Sequence, residues 1–426
     1  MILEFKIRNF LSFKDEVTLS FEATSDITLE DYYVAEPVPG VRILKMMMIY
    51  GPNASGKSNL LKAFGFLWSF IRRIPTERDR TTHFIPFRFD TTINEPGSFE
   101  LIFYIDKTKH KYFLELTSET VLTERLFYYP GTQPALIFDR QFDSDHQLSV
   151  VKFGSKIKIT DQALETIQLK TLRNMSVFAA YSQINLSVPE LTIAFQWFRE
   201  NFLPTIDPYL SLTEFSDQQI KSNEKVKEHI LNFLYKADMN ISDIYFEEEI
   251  KNIPNELVKL FEYGPFPDEE KNRIIKEKAI HLEKKLFEHR IIRNDVKKLY
   301  MLPEELESRG TLRYYGLSAP FYEAVTNNSF LPIDEIDTAL HPLLVMHFIK
   351  EFLRKSKEAQ LFFTTHNLSL LNEKDIIRKD AVWFTEKGIN GVTSIYSMAD
   401  FNFRKELSFH NAYKHGKFGA IPNLED

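Results

Sequence analysis

Hydrophobic and polar residues alternate from the start of the chain. Leu3, Phe5 and Ile7 interleave with Glu4, Lys6 and Arg8, the period-two signature of a strand with one buried face. Ile43 to Tyr50 forms an apolar run of strand length, and the stretch after Ser58 (Asn59 to Phe70) has helix-like apolar spacing. Phe99 to Ile105, Tyr112 to Leu116 and Leu126 to Tyr129 are aromatic or branched segments with turn-rich gaps, and Asp106 to His110 reads as a hairpin turn. These predict an antiparallel subdomain beside a central sheet. Residues 162–203 turn helical, with Pro189 opening one helix, and 217–300 are rich in Lys and Glu at helical spacing. Phe330 to Ile333 and Leu361 to Phe363 are short apolar runs. Val382 to Phe384 and Ser394 to Tyr396 read as last strands. No internal repeat appears, and no heptad run long enough for an extended coiled coil.

Composition narrows the classes. A chain of 426 residues suffices for two or three domains, or for one large α/β domain with an insertion. The 38 phenylalanines point to extensive aromatic packing. A net charge of −7 disfavours a surface coated by nucleic acid, although local patches remain. Between Lys271 and Lys298, ten Lys/Arg stand against four Asp/Glu, read as a solvated face or as a contact surface for nucleic acid or a partner. Arg72, Arg73, Arg78 and Arg80 form a smaller cluster with the same two readings. The absence of cysteine excludes disulfides, thiolate zinc sites and cysteine nucleophiles. The charged N-terminus and the lack of a run near ~18 apolar residues predict no membrane segment and a soluble, cytoplasmic protein.

Three motifs carry chemistry. Residues 51–58 fit G-x-x-x-x-G-K-[ST] through Gly51, Gly56, Lys57 and Ser58. Glycines let the backbone wrap phosphate oxygens, with Asn53, Ala54 and Ser55 completing the loop and Asn59 following it. Lys57 is placed to reach the outer phosphates, and the Ser58 hydroxyl to sit on Mg²⁺. The helix that starts here offers free N–H groups to the anion. Asp334 and Glu335 follow an apolar strand. The aspartate is the candidate for Mg²⁺, directly or in its outer shell, and the glutamate for activating water. His366 ends the second apolar run and is suited to donate a hydrogen bond to a γ-phosphate. Lys57, Glu335 and His366 are thus the candidate catalytic residues of an ATP-hydrolysing site.

In this order, GPNASGKSN, DEID-x-x-LHP and TTHN resemble the ABC-type ATPase heads of the SMC/RecF/OLD group. Met1 to Phe21 is similar to the group's first hairpin. The chain resembles more closely the AAA-labelled ATPases of bacterial abortive-infection and other anti-phage systems, such as the Rlo-type ATPases and the ATPase subunit of PARIS. Glu307 to Thr311 match the "ES-x-GT" signature of that group, and Asn411 to Asn423 its usual ending. The resemblance implies an α/β fold, an ABC-type P-loop head with a mixed central sheet, flanking helices, an antiparallel β subdomain and a helical insertion. It implies lobes at 1–200 and 301–426 around an insertion at 201–300. It further implies that Ser308, Gly310 and Thr311 cap the ATP of a second copy, in a homodimer or higher homo-oligomer. A separate effector, a nuclease or toxin, is expected as partner. The alternatives are an ATP-gated scaffold with little turnover and a RecF-like repair ATPase. Two residues depart from pattern: Pro332 inside an expected central strand and Arg309 in the signature. No Gln is assignable to the loop linking γ-phosphate to the helical lobe.

Overall fold

The N-terminal alternation folds as expected in the computed structural model, which describes residues 1–75, 81–264, 267–294, 296–402 and 408–422. Arg78, Arg80, Asp295 and Asn423 lie outside the described residues. The chain divides into two compact units, Met1–Leu210 with Pro320–Asp426, and Ser211–Ala319.

The first unit opens with β1 (Ile2–Arg8) and β2 (Val17–Ser20), a ribbon of β3 (Val34–Val38) and β4 (Val41–Leu44), and β5 (Met46–Tyr50). The apolar run 43–50 is therefore two elements. Lys45 breaks it, its ammonium donating to the Leu353 and Ser356 carbonyls at 3.3 and 2.9 Å. Next come β6 (Gly97–Ile105), β7 (Thr108–Leu116), β8 (Val121–Tyr129), β9 (Ala135–Asp143) and β10 (Leu148–Phe153). These pair antiparallel in the order β10-β9-β8-β7-β6-β1-β2.

The second unit holds β11 (Ile241–Asn252), β12 (Ala279–Arg293) and β13 (Val296–Pro303) as one antiparallel sheet, with helices Thr213–Ser222, Glu224–Lys236, Asn255–Tyr263 and Asp268–Glu277. This corrects the uniformly helical reading of 217–300. Lys and Glu are good helix formers, so composition spoke for helix. The distal part of the β12–β13 hairpin is exposed on both faces, which leaves no period-two burial pattern to read.

The first unit closes with β14 (Phe330–Ile333), β15 (Gln360–Thr364), β16 (Val382–Lys387) and β17 (Thr393–Ser397). The second sheet runs β14-β15-β5-β16-β17, parallel except for β17. The helix Lys57–Arg72 lies between the two sheets. Its Phe64 ring sits 4.2 Å from Phe5 of β1, 4.9 Å from Phe330 and 5.3 Å from Phe362. The phenylalanine excess is spent on this aromatic seam.

Pro332 lies on the terminal strand of the second sheet, beside a strap formed by residues 201–206. Strap and strand exchange bonds at Phe330 and Asp334, whose N–H groups donate to Asn201 and Ile206 carbonyls at 2.7 and 2.9 Å. At Pro332 the strap needs only the carbonyl, which accepts from Ile206 N–H at 2.9 Å. The proline's missing donor costs nothing there. Arg72 and Arg73 are also structural. Arg72 donates to the carbonyls of Trp68, Phe198 and Phe202, and Arg73 to those of Thr81 and Asn174.

Candidate functional site

All four parallel strands finish at one edge of the sheet. There β5 hands over to Gly51, β14 to Asp334 and Glu335, and β15 to Thr365 and His366, while β16 ends at Lys387. In open α/β sheets, ligands bind outside the carboxyl ends of the strands. A cleft of about 450 Å³ lies here, lined by the consecutive residues Asn53 to Asn59 with Glu335, His366 and Lys387.

The loop after β5 is built to be approached closely. Gly56 has φ of 109°, and a Cβ there would stand 2.5 Å from Thr393 Oγ1 and 3.0 Å from Ser12 Oγ. A Cβ on Gly51 would stand 2.4 Å from Thr385 Oγ1. Only glycine fits either position. Ala54 also takes a left-handed conformation, φ 61°. The helix Lys57–Arg72 has no side-chain cap at Gly56, so its first-turn N–H groups remain for an anion. The buried Lys57 ammonium donates to the Gly51 and Pro52 carbonyls at 2.8 and 3.0 Å, which holds it at the loop. Burial lowers its proton affinity, and Glu335, Asp334 and Asp337 partly restore it.

The acid cluster is held from β15. Thr364 Oγ1 donates to Asp334 Oδ1 at 2.5 Å and accepts from the Glu335 N–H at 2.8 Å. Glu335 has φ of 46°, a left-handed backbone that a glutamate adopts at a cost of about 1–3 kcal/mol. The turn that includes it brings the Thr338 hydroxyl to Glu335 Oε2 at 3.3 Å. Asp334 Oδ2 and the Ser58 hydroxyl have no partner among the described residues, and the buried Asp337 Oδ1 is likewise unpaired. Two such oxygens and a hydroxyl are a donor set suited to Mg²⁺ with phosphate oxygens. His366 is exposed where it lines the cleft. Partial desolvation first, then the Lys57 charge, lower its proton affinity, and the three carboxylates oppose this.

The structure thus brings the phosphate loop, Glu335 and His366 to one cleft, while Asp334, buried next to Glu335 in the chain, is not among the residues that line it. Ser308, Gly310 and Thr311 belong to the other compact unit. They sit where the helix Arg309–Asn327 begins, with Thr311 N–H donating to Ser308 Oγ at 3.0 Å. Glu307 is held by His289 Nε2 at 2.5 Å.

Sequence reasoning missed five residues here. The Ser55 and Thr385 hydroxyls meet at 2.6 Å, and Thr393 Oγ1 donates to the Ser55 carbonyl at 2.9 Å. The Ser12 hydroxyl bonds Thr393 and receives the Asn59 amide, Thr364 orders the acids, and Lys387 lines the cleft. Hydroxyl residues spread over the chain leave no spaced motif. The signal for Lys387 was its place at the end of an apolar strand.

Fold and cleft together define a P-loop domain with a nucleotide-type cleft at the carboxyl edge of its parallel sheet. Residues 46–372 match the family described as "AAA domain, putative AbiEii toxin, Type IV TA system", and the chain belongs to that family. No curated protein sequence matches the chain. Among solved structures, the SMC head domain from Thermotoga maritima is similar at 15% identity, covering 93% of this chain and 98% of that chain, with a TM-score of 0.39. An SmcHead bound to the C-winged helix domain of ScpA is similar at 12% identity, covering 97% and 99%, again with a TM-score of 0.39. No helix among the described residues is long and apolar enough to cross a membrane.

Proposed function

We propose that this chain binds ATP with Mg²⁺ in the cleft and hydrolyses it. The observation that carries the reading is the convergence of Lys57, Glu335 and His366 on one cleft beside the glycine-bearing loop. The loop N–H groups from Gly51 to Ser58 and the Lys57 ammonium hold the phosphate chain. Glu335, aimed into the cleft by its left-handed backbone, orients and deprotonates the attacking water. His366, its proton affinity lowered by partial desolvation and by the Lys57 charge, donates a hydrogen bond to a γ-phosphate oxygen. Ser58 and Asp334 would hold Mg²⁺, which when bound would supply charge neutralisation to the phosphate oxygens. Catalysis is mostly positioning and electrostatics.

Two copies enclose two ATP molecules, and Ser308, Gly310 and Thr311 of one copy cap the nucleotide of the other. The chain is the regulatory ATPase of a bacterial anti-phage, abortive-infection system in the cytoplasm, acting with a separate nuclease or toxin. The family's description, which names a type IV toxin–antitoxin system, supports that placement. The exposed Arg290, Arg293, Lys297 and Lys298 of the β12–β13 hairpin are the surface available to nucleic acid.

Steady-state phosphate release and ATP-dependent assembly test this. Wild type turns over, and Glu335→Gln loses at least ~100-fold in rate while accumulating an ATP-bound dimer. Unchanged turnover removes Glu335 as base. ATP-dependent assembly with no release from wild type establishes the gated scaffold instead.

A further inference from the structure

The chemistry above leaves one cation of the cleft unused. Lys387 is the last residue of β16, the fourth parallel strand to deliver a group to the ligand edge. Its neighbours fix the face from which it projects. Alternate residues of a strand share a face, and so do directly paired residues on an antiparallel neighbour. Thr385, Lys387 and Thr393 satisfy both relations, because Lys387 pairs with Thr393 across the β16–β17 hairpin. Both threonines are seated on the phosphate loop through Ser55. They are buried, whereas Lys387 is exposed and lines the cleft. The third side chain of this face therefore leaves the flank of the loop at the cleft's mouth.

Nothing else claims its charge. Among the described residues Lys387 meets no carboxylate and no hydrogen-bond acceptor, and its ammonium lies 5.8 Å from the centre of the Phe89 ring. Gly391 in the hairpin turn has φ of 77°, and a Cβ there would stand 2.6 Å from Phe89 Cδ2. The turn is thus shaped around the ring that flanks the lysine stem. A cation held in register with a loop of inward N–H groups is complementary to a polyanion.

We propose that Lys387 is a second lysine ligand of the phosphate chain, delivered from the β16–β17 hairpin to the nucleotide bound by its own subunit. This rests on the nucleotide reading above. The test is calorimetric titration of the full chain with ATP and with inorganic tripolyphosphate. Lys387→Ala is expected to weaken both about tenfold, the scale of one charge-assisted contact. Lys387→Arg should hold within about threefold of wild type, and ligand-free melting should not move in either variant. Wild-type affinities in Lys387→Ala overturn the proposal. So does weakening that comes with a lower ligand-free melting temperature and is not rescued by arginine. A parallel Lys57→Ala titration separates the two readings. Loss of ATP there with full affinity in Lys387→Ala sinks Lys387 alone. Full affinity in both sinks the nucleotide site as well.

Discussion

Two clusters of buried charge in the same compact unit differ in how completely their hydrogen bonds are satisfied. In the seven-stranded sheet, Glu124 and Arg140 are entirely enclosed. Glu124 accepts from Tyr112 and Ser176 hydroxyls at 2.8 and 2.7 Å and from Val177 N–H at 2.9 Å. Arg140 donates to the Ser149 hydroxyl and to the Leu172, Arg173 and Met175 carbonyls. At the carboxyl edge of the parallel sheet, Asp334 keeps one oxygen unbonded, Asp337 has a buried oxygen with no partner, and Glu335 holds a strained backbone. A fully satisfied polar network fixes a structure. Unspent hydrogen-bonding capacity beside a lysine and a glycine loop is what a ligand consumes.

The largest effect expected from this contrast is on stability. Arg140 Nη1 stands 3.8 Å from Glu124 Oε2, so Arg140→Met leaves that buried carboxylate without its counter-charge and should cost about 3–5 kcal/mol in chemical denaturation, while the folded fraction keeps its ATP affinity. A loss of affinity without loss of stability would erase the distinction. Next is an acid effect on the structural side. His110 of β7 is buried beside Phe103, 5.4 Å between rings, and burial, with the N-terminal ammonium adding to it, pushes its pKa down to about 4. The unfolded chain takes up that proton near pH 6.5 and the folded chain resists, so stability falls as pH drops from about 6.5 to about 4. At 1.36 kcal/mol per decade of proton affinity the loss is about 3 kcal/mol, and His110→Gln should flatten that slope in urea titrations across pH. The smallest effect is on the functional side. Asp337→Asn should change ligand-free stability by less than about 0.5 kcal/mol, because no protein bond to Oδ1 is lost. A cost above about 2 kcal/mol would make Asp337 structural like Glu124.

The placement of the cleft was legible because each of its parts follows a short apolar run: Gly51 after the run ending at Tyr50, Asp334 after Ile333, His366 after Phe363 and two threonines. Strand ends are where side chains stop being dictated by the core, so chemistry accumulates there. The hidden supports were not legible. Thr385 and Thr393 matter through a cross-strand register that no local spacing encodes. The β12–β13 hairpin misled because its cations divide between two situations. Lys285 is buried against Asp217 and Glu304 at 2.9 and 2.8 Å, while Lys297 and Lys298 face water, and composition alone sees only their sum. Pro332 looked like a fault in a central strand because strand order, which makes it terminal, is a non-local property.

That proline has a consequence for how copies of the chain can meet. An open sheet rim with regularly spaced donors invites another chain to dock strand to strand, the route to runaway polymers. Here the strap at 201–206 occupies the donors of Phe330 and Asp334, and Pro332 offers none. Stacking of copies by sheet extension is therefore sealed off on that side. The other terminal strand, β17, is closed at both ends of its outer edge, where Thr393 N–H donates to the Ser12 carbonyl and Ser397 N–H to Asp400 Oδ2 at 2.8 and 2.9 Å.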